Sequence, residues 1–166
     1  MADIQLRFNK DMLVLSTPIK AQLSRLGINS ERDNELTLLL EPEVLEDIYR
    51  LEIAVGAQCV VTDTASITPA RLAHARMVDR ASDLAENALA AACKYTPQHV
   101  LVEIGPCGLP LDASSKASLN ENRDQYTRAA RTFAKLEPLF DAFFLNEFVS
   151  CTDLKCALMG IRKISD

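Results

Sequence analysis

The residues with chemistry to offer sit where short apolar runs give way to turns. Ile104-Gly105-Pro106-Cys107-Gly108 closes the run from Val100 to Ile104 and sets a thiol between two glycines. Glycine permits positive φ and the close approach of a ligand, and proline stiffens the exit. Thr62-Asp63-Thr64 follows a second run from Ala57 to Val61, and Asn146-Glu147 follows a third from Leu139 to Leu145. Asp63, Cys107, Asn146, Glu147 and Cys151 thus fall near strand C-terminal ends, the edge at which folds of alternating strands and helices bind ligands. A metal site of Cys107, Cys151 and a carboxylate is one reading of this set. The plainer one makes Cys107 a small residue filling a tight turn, Cys151 a residue ahead of a helix, and the glycines backbone necessities.

The elements that carry these ends read as strand-loop-helix units. Met12-Leu13-Val14-Leu15 is a first strand, and Ser16-Thr17-Pro18 offers an N-cap with proline at the first helical position, for a helix closing on Gly27. Asn29 to Asn34 reads as a surface loop, with Leu36 to Leu40 beginning the next helix or lying against it. Pro42 opens a helix to Val55 whose Val44, Ile48, Leu51 and Val55 share a face that should pack on a sheet. Helices are also expected over Arg71 to Met77, Arg80 to Tyr95, Asn122 to Leu136, with Tyr126, Ala129, Ala130 and Phe133 inward, and Asp153 to Ile164. Leu139 to Leu145 is continuously apolar, as in a strand covered on both faces. Strands separated by helices imply parallel pairing through right-handed crossovers, in a small open sheet or in half of an eight-fold barrel.

The totals narrow the classes. A chain of 166 residues, 48% hydrophobic and 25% charged, is sized for a single domain over residues 1–166 with a real core. A net charge of -5 with scattered Lys and Arg argues against nucleic-acid binding. No apolar run spans a bilayer, and the opening Met1 to Arg7 has no signal-peptide core behind it, so a cytoplasmic protein is expected. Five cysteines without C-x-x-C spacing read as reduced thiols, Cys59 and Cys93 in the core. His74 and His99 are expected at the surface or at helix ends, and the Asp112-Ala113-Ser114-Ser115 run leads into a helix. No phosphate-binding glycine loop is present.

In order and spacing, several segments resemble the homocysteine S-methyltransferase family. These are Leu15 through Gly27, Pro42 to Ala57, Thr62-Asp63-Thr64, Arg71-Leu72-Ala73, Ile104-Gly105-Pro106-Cys107-Gly108 and Asp141 to Leu158. The resemblance implies four β/α units with parallel strands, half of a TIM-type (β/α)₈ barrel. It also implies methyl transfer to the homocysteine thiol in methionine synthesis, with zinc held by three cysteine thiolates that the family carries on its sixth and eighth strands. Against the family pattern, Ser16-Thr17 replace Asp-Gly, Val61 replaces Glu, Asp63 replaces Asn, and Asn146 replaces Glu.

The substrate-facing positions that the resemblance implies are Ser16, Thr17, Asp63, Gly105, Cys107, Asn146 and Glu147, with Asp63 or Glu147 holding an ammonium group. No residue is singled out as catalytic, and no cofactor or metal is expected on this chain alone; zinc enters with a partner. Unpaired apolar strand edges call for a homodimer or a second chain completing the barrel. The alternative is a non-catalytic binding or assembly protein derived from the same fold.

Overall fold

β1 (Cys59–Val61) runs parallel to β2 (His99–Ile104), with Cys59 opposite His99, Val60 opposite Val100 and Val61 opposite Leu101. β3 (Ala142–Leu145) completes a sheet of order β1-β2-β3. The computed structural model describes residues 3–165, with side chains given outside residues 30–32. The opening Met1-Ala2, part of the expectation of no signal segment, lies outside them. Two compact units divide the chain. One holds the residues up to Asp63 with Glu86–Val102 and Pro138–Phe144; the other holds Thr64–Ala85, Glu103–Glu137 and the chain from Leu145.

In the first unit the expected strand Met12 to Leu15 is reduced to one parallel bridge, Leu15 to Cys59. Val14 O accepts from the N–H groups of Gln58 (2.8 Å) and Cys59 (3.0 Å), and Ser16 N donates to Cys59 O at 2.8 Å. The pairing is that of a strand, but Met12 is 90% exposed and Val14 50%, so its outer side is largely uncovered among the described residues. The inner face gathers Cys59, Val61 and Leu101 with Ile4 of α1 (Ile4–Phe8), and Leu13, Ala142 and Phe144 pack against them. Alternate residues of each strand point this way because the side-chain period is two.

Helix boundaries depart from the sequence reading in instructive places. In α2 (Ile19–Arg25) Pro18 is the cap itself, with no side-chain capping bond, because the Thr17 side chain is spent on another helix; Gly27 at φ +81° lies just past the C-terminal end as expected. α3 spans Ser30–Leu40, so the segment expected as a surface loop is helical, and Asn34, Glu35, Thr37 and Leu38 are buried in it. Its polar composition hid a helix stabilised by packing against its neighbours. α4 (Pro42–Ala54) starts at its proline as expected, but it buries Leu45, Ile48 and Tyr49 and leaves Leu51 and Val55 exposed. Both sets have helical spacing, and the tertiary contacts selected the one that carries Tyr49.

His99, expected at the surface, is 1% exposed. Arg7 Nη1 donates to His99 Nε2 at 3.1 Å and to Gln98 Oε1 at 2.8 Å. His99 Nδ1 lies 3.3 Å from Asp141 Oδ1. Asp141 in turn accepts from Val100 N and donates its own N–H to Val100 O, both at 2.8 Å.

In the second unit α5 (Pro69–His74), with His74 exposed, is followed by a 3₁₀ turn, Val78–Arg80, and by α6 (Ala81–Cys93), whose C-terminal half belongs to the first unit. α7 (Lys116–Ala134) begins earlier than expected because Ser115 caps it, accepting from Ser118 N at 3.3 Å. Its inward face holds Tyr126, Ala129, Ala130 and Phe133, as the spacing predicts, joined by Asn122 and Thr127. α8 (Cys151–Ile161), capped by Ser150, lies against it. Thr127 Oγ1 shares its proton between Arg123 O (3.0 Å) and Gly160 O (3.1 Å) across the seam. The residues of β3, most of which belong to the first unit, are half-buried rather than covered on both faces.

A Cβ at Gly160 would lie 2.6 Å from Arg123 O and 2.9 Å from Tyr126 Cβ. Gly160→Ala should therefore lower stability by about 1–3 kcal/mol, as overpacking does, read from urea unfolding midpoints. Arg7→Ala removes the donor to a buried ring nitrogen and should cost about 1–3 kcal/mol in the same measurement. Unchanged midpoints would remove these contacts from the core's account.

Candidate functional site

In the first unit the strand exits are tied to neighbouring helices and strands. Ser16 is buried, and its Oγ accepts from Val61 N at 3.0 Å, so it closes the Leu15 bridge onto β1. Thr17 gives both its backbone N–H (3.3 Å) and its hydroxyl to the Glu52 carboxylate of α4. Gln22 Nε2 donates to Thr17 Oγ1 at 2.9 Å and to Glu52 Oε1 at 3.2 Å. Asp63 is 2% exposed, and its backbone N–H donates to Tyr49 Oη at 3.2 Å. The buried face of α4 thus sets the exit of β1.

In the second unit the end of β2 and the exit of β3 meet. Asn146 N donates to Ile104 O at 3.1 Å, and Asn146 Nδ2 donates to Glu103 Oε1 at 2.8 Å. Thr64 Oγ1 donates to Glu103 O at 2.7 Å. Gly105 N donates to Ala65 O at 3.3 Å, and a Cβ at Gly105 would lie 3.1 Å from Ala65 Cβ, so Gly105 is there for room while Gly108, at φ +81°, is there for conformation. Glu147 is exposed, one residue beyond Asn146, with φ +62°. β3 ends at Leu145, so strand alternation does not govern which way Glu147 faces.

Cys107 belongs to a different cluster of the same unit. It is 1% exposed; its N–H donates to Tyr126 Oη at 2.9 Å and its Sγ lies 3.2 Å from Asn122 Oδ1. Tyr126 Oη donates to Asp153 Oδ1 at 2.6 Å. Burial first, and this bond to a carboxylate second, push the Tyr126 hydroxyl far above its ordinary range, so it stays protonated. Cys107 is therefore a fixture of a buried network that locks the loop after β2, where Arg71 Nη1 also holds Pro106 O at 3.3 Å.

The structure brings Asn146 and Gly105 to one strand end and ties Cys107 to the α7 and α8 seam, while Ser16, Thr17 and Asp63 belong to the first unit. Cys151 is exposed at the start of α8, and among the described residues no group of three His, Cys, Asp or Glu side chains is placed to hold a metal ion. The reading of Cys107, Cys151 and a carboxylate as a metal site is thereby corrected; Cys107 Sγ is already taken up by Asn122. Burial raises the thiols of Cys59, Cys93 and Cys156 above their usual range, the opposite of an activated thiolate. A cleft of about 210 Å³ with Ile67, Leu72 and Ala129 in its floor and Arg128, Arg131 and Lys135 among its lining includes none of the strand-end residues.

The residue missed from sequence is Glu103. Its signal was present: one carboxylate inside an otherwise apolar stretch of β2, one residue before the Ile104-Gly105 exit. What sequence could not supply is its partner, Asn146, 43 positions away.

No helix among the described residues is long and apolar enough to cross a membrane. The structure resembles the crystal structures of the homocysteine methyltransferase MmuM from Escherichia coli. In the metallated form the TM-score is 0.77 at 15% identity, covering 96% of this chain and 62% of that one. In the oxidized form the TM-score is 0.78 at 16% identity, covering 96% and 61%. The chain thus spans about three fifths of the length of these structures, with their fold: four β/α units, the first reduced to the Leu15 bridge, forming part of a TIM-type barrel. No curated protein matches the sequence. The family model for homocysteine S-methyltransferase matches residues 13–165, and this chain belongs to that family.

Proposed function

We propose that this chain supplies the first part of a barrel that transfers a methyl group to the homocysteine thiol in methionine synthesis, and that it acts only together with polypeptide supplying the remaining strands. The observation that carries this reading is the family match along residues 13–165. Zinc, which the family implies, finds no set of ligands among the described residues, so the proposal places its cysteines on the completing part. Exposed Met12, Val14 and Leu15 beside β1 support a covering partner, a second chain or a second copy. Free cysteines fit a reducing, cytoplasmic setting.

Ser16, Thr17, Asp63, Gly105, Cys107, Asn146 and Glu147 enter this proposal with unequal roles. Gly105 and Asn146 stand at the ligand end. Ser16, Thr17, Asp63 and Cys107 position loops through the bonds described above, and Glu147 lies outside, in the turn. A second reading, a non-catalytic binding or assembly protein, is favoured by Ser16, Val61 and Asn146 standing where the family carries Asp, Glu and Glu.

Native mass spectrometry of the protein from its own source, with zinc analysis, separates the two. The expected result is a complex with a cysteine-bearing chain and bound zinc. A metal-free homodimer would favour the assembly reading, and a metal-free monomer would overturn the need for a cover.

A further inference from the structure

We propose that Glu103, oriented by Asn146, is the acceptor for the ammonium group of an amino-acid ligand at the C-terminal end of β2. The inference rests on the reading above only in taking the ligand to be an α-amino acid. A primary ammonium requires a carboxylate or carbonyl partner at close range, and charge-assisted bonds of this kind are the strong ones. Among the described residues, three acidic side chains stand at the C-terminal ends or exits of β1, β2 and β3: Asp63, Glu103 and Glu147. Asp63 is 2% exposed and sealed into the first unit. Glu147 is exposed in a left-handed turn beyond β3.

Glu103 differs from both. It sits between Val102 and Ile104, each at 0% exposure, yet is itself only half-buried. Its backbone is fixed by Thr64 Oγ1 at 2.7 Å, and its carboxylate by Asn146 Nδ2 at 2.8 Å. Asn146 is a neutral donor: it orients the carboxylate without cancelling its charge, and its amide carbonyl is a second acceptor of the kind an ammonium takes. Gly105, two residues on, leaves the strand exit without a side chain. The pair also accounts for the amide at 146. A carboxylate there would stand within hydrogen-bond distance of Glu103, and two such groups cannot both stay ionised. The acid that would serve an ammonium group is thus carried by β2 rather than by the exit of β3.

The test uses the full chain and amino-acid probes that need no zinc. In ¹H–¹⁵N spectra, L-norleucine and L-homocysteine should shift the Asn146 side-chain amide and the Gly105 backbone amide, and hexanoate, which lacks the ammonium group, should not. Glu103→Gln should weaken both amino acids about tenfold or more, the worth of a charge-assisted hydrogen bond. The double variant Glu103→Gln, Asn146→Asp should restore binding from the other side of the pair. Shifts by hexanoate equal to those of norleucine, no shift with either amino acid, or undiminished affinity in Glu103→Gln would each overturn the assignment. The hexanoate comparison stands even if a variant fails to fold. If the amino acids bind here while the completed complex never transfers a methyl group, the acceptor stands and the methyltransferase reading falls.

Discussion

The parallel register of β1 on β2, Cys59 opposite His99, is the constraint on which the rest depends. Both strands are buried, so their backbone N–H and C=O groups have no water to turn to, and a slip of one residue would turn every inward side chain outward. With this register go the Leu15 bridge onto Cys59, and Ser16, and the level at which Asp63 leaves the sheet. The strand starts and the strand exits then take on different work.

At the start of β2 the polar groups are structural. His99 is enclosed by Arg7 and Asp141, and Asp141 exchanges bonds with both polar groups of Val100. These contacts tie α1 and the residue ahead of β3 to the start of β2 within the first unit. At the exits, by contrast, the bonds hold loops: Tyr49 under Asp63, Glu52 on Thr17, Tyr126 under Cys107, Asn146 on Glu103. Two of these supports come from α4 and one from α7, so helix packing reaches the strand exits through single tyrosine and glutamate side chains.

The cysteines illustrate the same division. A thiol beside glycines invites a reactive reading, yet Cys107 is enclosed by Tyr126 and Asn122, and the Tyr126 hydroxyl is committed to Asp153. Among the described residues Cys107 belongs to no group of three possible metal ligands, and its Sγ lies against Asn122 Oδ1. Its loop is held rigid by the α7 and α8 seam, where Gly160 allows the two helices to come close enough for Thr127 to bridge them.

Local sequence determined much of this architecture because the signals were local. Pro42 and Gly56 bracket α4, Gly27 ends α2, the Tyr126 to Phe133 spacing fixes the inward face of α7, and the Gly105 to Gly108 turn ends β2. Tertiary structure decided what local patterns leave degenerate. It made a helix of a segment whose first half, residues 30–35, is polar, chose Leu45, Ile48 and Tyr49 over Val44, Leu51 and Val55, and buried His99, because packing and distant partners outweigh intrinsic preference in each case. The pairing of Glu103 with Asn146 belongs to the same class: the sequence shows a carboxylate in an apolar strand and an amide 43 residues away, and only the adjacency of parallel strand ends makes them one group.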